Sequence, residues 1–170
     1  MNANTRMLLN YGGKKVTFNN LPTEHRKAII WYMAVDGTAW KILDDLGKNI
    51  NDGPESNELT PANKAITESV LMAYTKKYGT KTFLYGNLPT SLLKKKTYCS
   101  LEENGGWKSF EEAHRWYVKN NTVSNHRKNN RWPCILADYT ADTEVFQDGW
   151  HRFHCYVRQG ARKIPVLAFS

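Results

Sequence analysis

Five consecutive residues, Asp148, Gly149, Trp150, His151 and Arg152, carry the densest chemistry in the chain. A glycine at a strand-to-helix turn adopts dihedrals closed to other residues and lets a ligand approach the backbone. The first N–H groups of the following helix attract anions, helped by the helix dipole. Arg152 offers a two-pronged phosphate donor. His151 offers a donor or a proton-transfer group near neutral pH. Asp148 is placed to hold Mg²⁺ through water or to orient a hydroxyl group. Together they read as a phosphate cradle with an acid–base group. Gly149, Trp150, His151 and Arg152 would hold phosphate, and Asp148 and His151 would be the catalytic residues. An Asp-Gly turn is common, so the short motif does not settle the matter by itself.

The elements around the motif are legible. Residues 133–137 form a short apolar strand, 138–142 a turn and 144–147 a second strand. Asp148-Gly149 breaks that strand, and a helix follows over 150–159 with Trp150, Phe153, His154 and Val157 on one face. Gly160 suits the position just past a helix end, and Lys163 to Phe169 is a final apolar strand. Upstream, Ser109 and Glu112 form a capping box. The box opens a helix that carries Phe110, Ala113, His114 and Tyr117 on one face. Residues 16–18 and 81–85 read as strands, 24–35 as a helix capped by Thr23, and 61–78 as a helix capped by Thr60. Residues 46–58 are a connector rich in Gly, Asn, Asp and Ser. Asn-Leu-Pro-Thr occurs at 20–23 and again at 87–90; turn-and-cap chemistry used twice explains it. Alternating strands and helices predict a mixed α+β fold. Two regions are expected: a mainly helical part over 1–80, packed on a core over 81–170.

The bulk composition narrows the class. Hydrophobic residues make up 41% of the 170, which excludes a disordered chain. No apolar run reaches the length of a membrane span, and residues 1–6 lack the apolar stretch of a secretory signal. Three cysteines, Cys99, Cys134 and Cys155, are an odd number at irregular spacing. That predicts reduced thiols in the cytoplasm rather than a disulfide framework. None lies in a paired zinc-ligand spacing, so His114 and His154 read as core or boundary residues. The net charge of +8 favours a polyanionic partner such as DNA or a nucleotide. Arg127, Lys128 and Arg131, in the loop before the strand at 133–137, are expected to flank the Arg152 turn and bind nucleic acid. Aromatics interleaved with basic residues could stack bases. Trp31, Trp116 and Tyr117 are assigned to the core, and Trp107 and Trp132 are left open. Glu24, His25 and Arg26 sit in a first helical turn that could face a cleft.

The stretch 144–153, closed by Gly160 and Lys163-Ile164-Pro165-Val166-Leu167, resembles the ParB/sulfiredoxin superfamily: strand, D-G-x-H-R turn, helix, glycine, I-P-V strand. The match is specific for residues 133–169, loose from about 81, and does not cover 1–80. It implies a small sheet with flanking helices and a nucleotide site at 148–152, with ATP or another nucleotide and Mg²⁺. Trp150 stands where sulfiredoxins carry their catalytic cysteine, which argues against that chemistry. Trp150 also replaces the acidic residue of the ParB turn, and no helix-turn-helix follows. Stand-alone members are nearer in size: the Osa-type ATPase/DNA nucleases and the ParB-like free-serine kinases. The resemblance therefore implies an ATP-dependent or ATP-hydrolysing nuclease acting on DNA. The alternatives are a small-molecule kinase, or a non-catalytic DNA-binding or inhibitory protein of a mobile element.

Overall fold

The computed structural model describes residues 1–35, 68–96, 107–120, 132–137 and 145–169. In chain order the elements are α1 (Ala3–Asn10), β1 (Lys14–Thr17), a 3₁₀ turn (Phe18–Asn20), α2 (Thr23–Val35), α3 (Glu68–Tyr78) and β2 (Thr82–Pro89). There follow α4 (Thr90–Lys94), α5 (Phe110–Lys119), β3 (Cys134–Leu136), β4 (Phe146–Asp148), α6 (Trp150–Arg158) and β5 (Lys163–Phe169). The fold is mixed α+β, as expected. One five-stranded sheet runs in the order β1-β2-β5-β3-β4. All its pairings are antiparallel except β3 with β5, which run parallel.

Strand alternation sends side chains to two covered faces. On β5, Ile164, Val166 and Ala168 join one buried cluster, and Leu167 joins the other. On β2, Leu84 and Leu88 join the first, and Phe83 the second. The Phe83 and Leu167 face is covered by α2 and α3 through Ile29, Ile30, Val70 and Tyr74. The opposite face is covered by Leu8 of α1, Leu93 of α4, Phe110 of α5 and Phe153 of α6. No described helix is long and apolar enough to cross a membrane.

Several local expectations are corrected. At the N-terminus, which the sequence reading assigns to no element of its own, Asn2 caps α1, its side chain accepting from the Thr5 amide at 2.7 Å. Inside that helix, Asn4 is buried and donates to the carbonyls of Ala137 (3.1 Å) and Val145 (3.4 Å), tying the N-terminus to the β3 and β4 strands. The β1 strand starts at Lys14 and ends before Phe18. The 87–89 segment, expected as a turn, continues β2, because Leu88 and Pro89 pair with Ile164 and Lys163. The two Asn-Leu-Pro-Thr copies bury their leucines, but the first follows a 3₁₀ turn and the second ends a strand. Ser109 caps α5 by accepting from the Glu112 amide at 3.2 Å. Glu112 reaches one residue further back than expected and accepts from the Lys108 amide at 2.8 Å. Trp116, assigned to the core, is exposed. Tyr117 is buried as expected, Cys155 is buried too, and Trp132 is fully buried. Thr60, residues 61–67 and the 46–58 connector lie outside the described residues, as does the side chain of Trp31.

Candidate functional site

The turn into α6 is shaped by contact with β3. Gly149 has φ +100°, which other residues rarely adopt. A Cβ there would sit 2.9 Å from Cys134 Cα and 3.2 Å from its Sγ. The Cys134 thiol donates to the Gly149 carbonyl at 3.4 Å. Glycine is thus required twice, by its dihedral and by its neighbour. No side chain caps the helix. The first intrahelical bond of this turn runs from the Phe153 amide to the Gly149 carbonyl, 2.8 Å. The amides of Trp150, His151 and Arg152 therefore precede the helical ladder and are oriented for an anion.

Arg152 and Asp148 do something the sequence did not suggest. Arg152 is buried, and its guanidinium is directed into the protein. It donates to the Pro133 carbonyl at 2.6 Å, forms a tight ion pair with Asp148, and lies 5.9 Å from the Trp132 ring centroid. This clamp joins α6, the end of β4 and the entry to β3. Both partners are occupied by it. Asp148 keeps about one third of its side chain exposed (33%) but spends its carboxylate on Arg152. That donor set does not fit a resident Mg²⁺, and among the described residues no group of three His, Cys, Asp or Glu could hold a metal.

His151 is half-buried beside the clamp. Burial lowers its pKa below the usual histidine range, Asp148 opposes that shift, and Arg152 adds to it. The imidazole is therefore neutral at pH 7 and suited to accept a proton. Its ring meets Tyr117 edge-on at 5.2 Å. Trp150 is half-buried and edge-on to Phe146 at 5.3 Å. The proposed nucleic-acid residues Arg127, Lys128 and Arg131 lie outside the described residues.

A second helix start reaches the same place. Glu24, in the first turn of α2, accepts from the Trp132 indole N–H at 2.8 Å. Tyr156 of α6 donates to the Trp132 carbonyl at 2.8 Å. Trp132 thus stands between Glu24 on one layer and Arg152 on the other. Next to Glu24, His25 packs edge-on against Tyr85 at 5.6 Å, and burial lowers its pKa to about 4. The sequence carried no signal for this meeting, because Glu24 and Trp132 are 108 residues apart.

Comparison of the chain with protein-family models, curated proteins and solved structures finds no match.

Proposed function

We propose that this chain is a nucleotide-binding protein of the ParB/sulfiredoxin type, holding phosphate at the N-terminal turn of α6. One observation carries the reading: the left-handed Gly149 leads into α6 without a side-chain cap and against β3, leaving the first-turn amides for an anion. The neutral His151 beside them suits proton transfer in hydrolysis of a phosphate ester or anhydride. Arg152 has a different role from the one its motif position suggests. It holds the turn in place, and the backbone amides do the binding. Mg²⁺ in this reading arrives with the nucleotide phosphates. The nuclease reading adds DNA as substrate, and it rests on the +8 charge and on Arg127, Lys128 and Arg131.

A thermal-shift screen of ATP, CTP and GTP, with and without Mg²⁺, tests the reading. At ligand concentrations a hundredfold over Kd, binding stabilises the native state by about 2.7 kcal/mol, which raises Tm by several degrees. The variant His151→Glu places a carboxylate in the first turn, where it favours the helix dipole and repels phosphate. It should fold and lose the shift. If no nucleotide moves the wild-type Tm, the proposal fails.

A further inference from the structure

The contact between α5 and α6 is built on histidine. His114 Nδ1 and His154 Nδ1 lie 2.9 Å apart, a hydrogen bond between two imidazoles. His154 is fully buried, and its Nε2 has no partner among the described residues. Its ring is stacked on Tyr117 at 4.0 Å and on Phe110 at 5.6 Å, and Phe153 meets it edge-on at 5.1 Å. Such a bond needs one nitrogen carrying a proton and the other carrying a lone pair. A proton taken at the outer Nε2 of His114 keeps the bond. Protonation of His154 sets two N–H groups against each other when its Nδ1 is the acceptor, and in either tautomer places a cation in a buried aromatic shell with no partner for its Nε2 among the described residues, which is costly.

We propose that the His114–His154 pair is an acid-released latch: the neutral pair holds α5 on α6, and protonation of the buried His154 frees it.

The surrounding charges favour release. Facing His114 are Lys94 of α4 and Arg158 of α6; facing His154 are His114 and His151. Each of these is a base whose charge disfavours a further proton. Asp148 acts on His151, on the other side of the cluster. Lys94 also sits 5.0 Å over the Phe110 ring, so its charge is fixed close to the pair. Burial, then His114, then His151, lowers the His154 pKa to about 3. The sign follows directly. An imidazole that must stay neutral in the folded state contributes stability above pH 6.5, and loses it as pH falls from there toward 3. At pH 5 the linkage for His154 is about 30-fold, since each pKa unit is tenfold. The apolar contacts of Phe110 and Tyr117 are what this must overcome.

Hydrogen exchange read by mass spectrometry at pH 7.5 and pH 5.0, corrected for intrinsic rates, tests the latch. Residues 110–119 of the wild type should lose protection about 30-fold at pH 5.0, while β2 and β5 keep theirs. His154→Phe fits the aromatic shell and cannot titrate, so α5 protection should no longer depend on pH. His114→Asn leaves His154 buried and titratable, so its pH dependence should remain; His154→Leu, apolar and unable to titrate, carries the test if His154→Phe does not fold. Equal protection of 110–119 at both pH values overturns the proposal. So does a parallel loss in β2 and β5, which would mean global unfolding, and so does a loss that persists when His154 is replaced by Phe or Leu.

Discussion

Removing Arg152 should damage folding before it damages binding. The side chain is 5% exposed and ends in an ion pair with Asp148 and a 2.6 Å bond to the Pro133 carbonyl. Arg152→Ala leaves that carbonyl without its donor, at a cost of about 1–3 kcal/mol. It also leaves Asp148 unpaired. Breaking a fully buried pair costs about 3–5 kcal/mol, but Asp148 is one-third exposed (33%) and rehydrates, so the lower part of that range applies. The two losses share one guanidinium and do not add in full; a total of about 3–4 kcal/mol is expected. That is a large fraction of the 5–15 kcal/mol that usually holds a domain together. Urea unfolding followed by tryptophan fluorescence measures it. Asp148→Asn and the double variant should show a coupling energy above about 1 kcal/mol between the two positions. Arg152→Lys keeps the charge but lacks the planar fork, and should fall between wild type and Arg152→Ala. If Arg152→Ala lies within about 1 kcal/mol of wild type while nucleotide binding is lost, Arg152 faces the ligand and the clamp is refuted.

Gly149→Ala should cost more than about 2 kcal/mol, because it combines φ +100° with a Cβ 2.9 Å from a backbone atom of Cys134. An unchanged urea midpoint would show that the turn re-forms easily. Cys134, whose pKa burial pushes up to about 12, and Cys155, also raised by burial, should resist alkylation at pH 8 until denaturant is added. Rapid labelling of either, located by peptide mapping, would contradict the buried thiol assignment.

The parts of the fold that were legible are those specified by neighbouring residues. The Asp148-Gly149 break, the α6 helix, Gly160 with its φ of +72° and the apolar β5 strand all depend on local dihedrals and periodicity. The misreadings share another cause. The α1 helix is eight residues long and was masked by a polar composition; its stability comes from Asn2 as cap and from Asn4 reaching Ala137 and Val145. Leu88 and Pro89 look like turn residues, yet β5 offers them a strand to pair with. Trp116, assigned to the core as a large aromatic, lies off the face that α5 turns inward, which Phe110, Ala113 and Tyr117 form as expected. At the candidate site, the motif placed the strand-to-helix turn at Asp148-Gly149 but gave no sign that Arg152 meets Asp148 and Pro133. A guanidinium beside a glycine turn reads as a phosphate donor until the structure places Asp148 and Pro133 around it.

Trp132 explains why the N-terminal elements matter to a candidate site at 148–152. It stands just before β3, and three of its contacts reach two helices, α2 and α6. The indole N–H goes to Glu24 of α2, the carbonyl accepts from Tyr156 of α6, and the ring lies under Arg152. The layer holding α2 and α3 is thereby tied to the clamp that fixes the Gly149 turn. The same sheet continues this dependence, since β1 from the N-terminal part pairs with β2 and the Asn4 side chain holds the carbonyls of Ala137 and Val145. The N-terminal region thus supports the turn from both faces of the sheet: through Glu24 on one, and through α1 on the other. A domain cut at residue 80 would remove Glu24, Asn4 and the β1 edge together. The C-terminal motif carries the candidate site, and its geometry depends also on Glu24, Asn4 and β1.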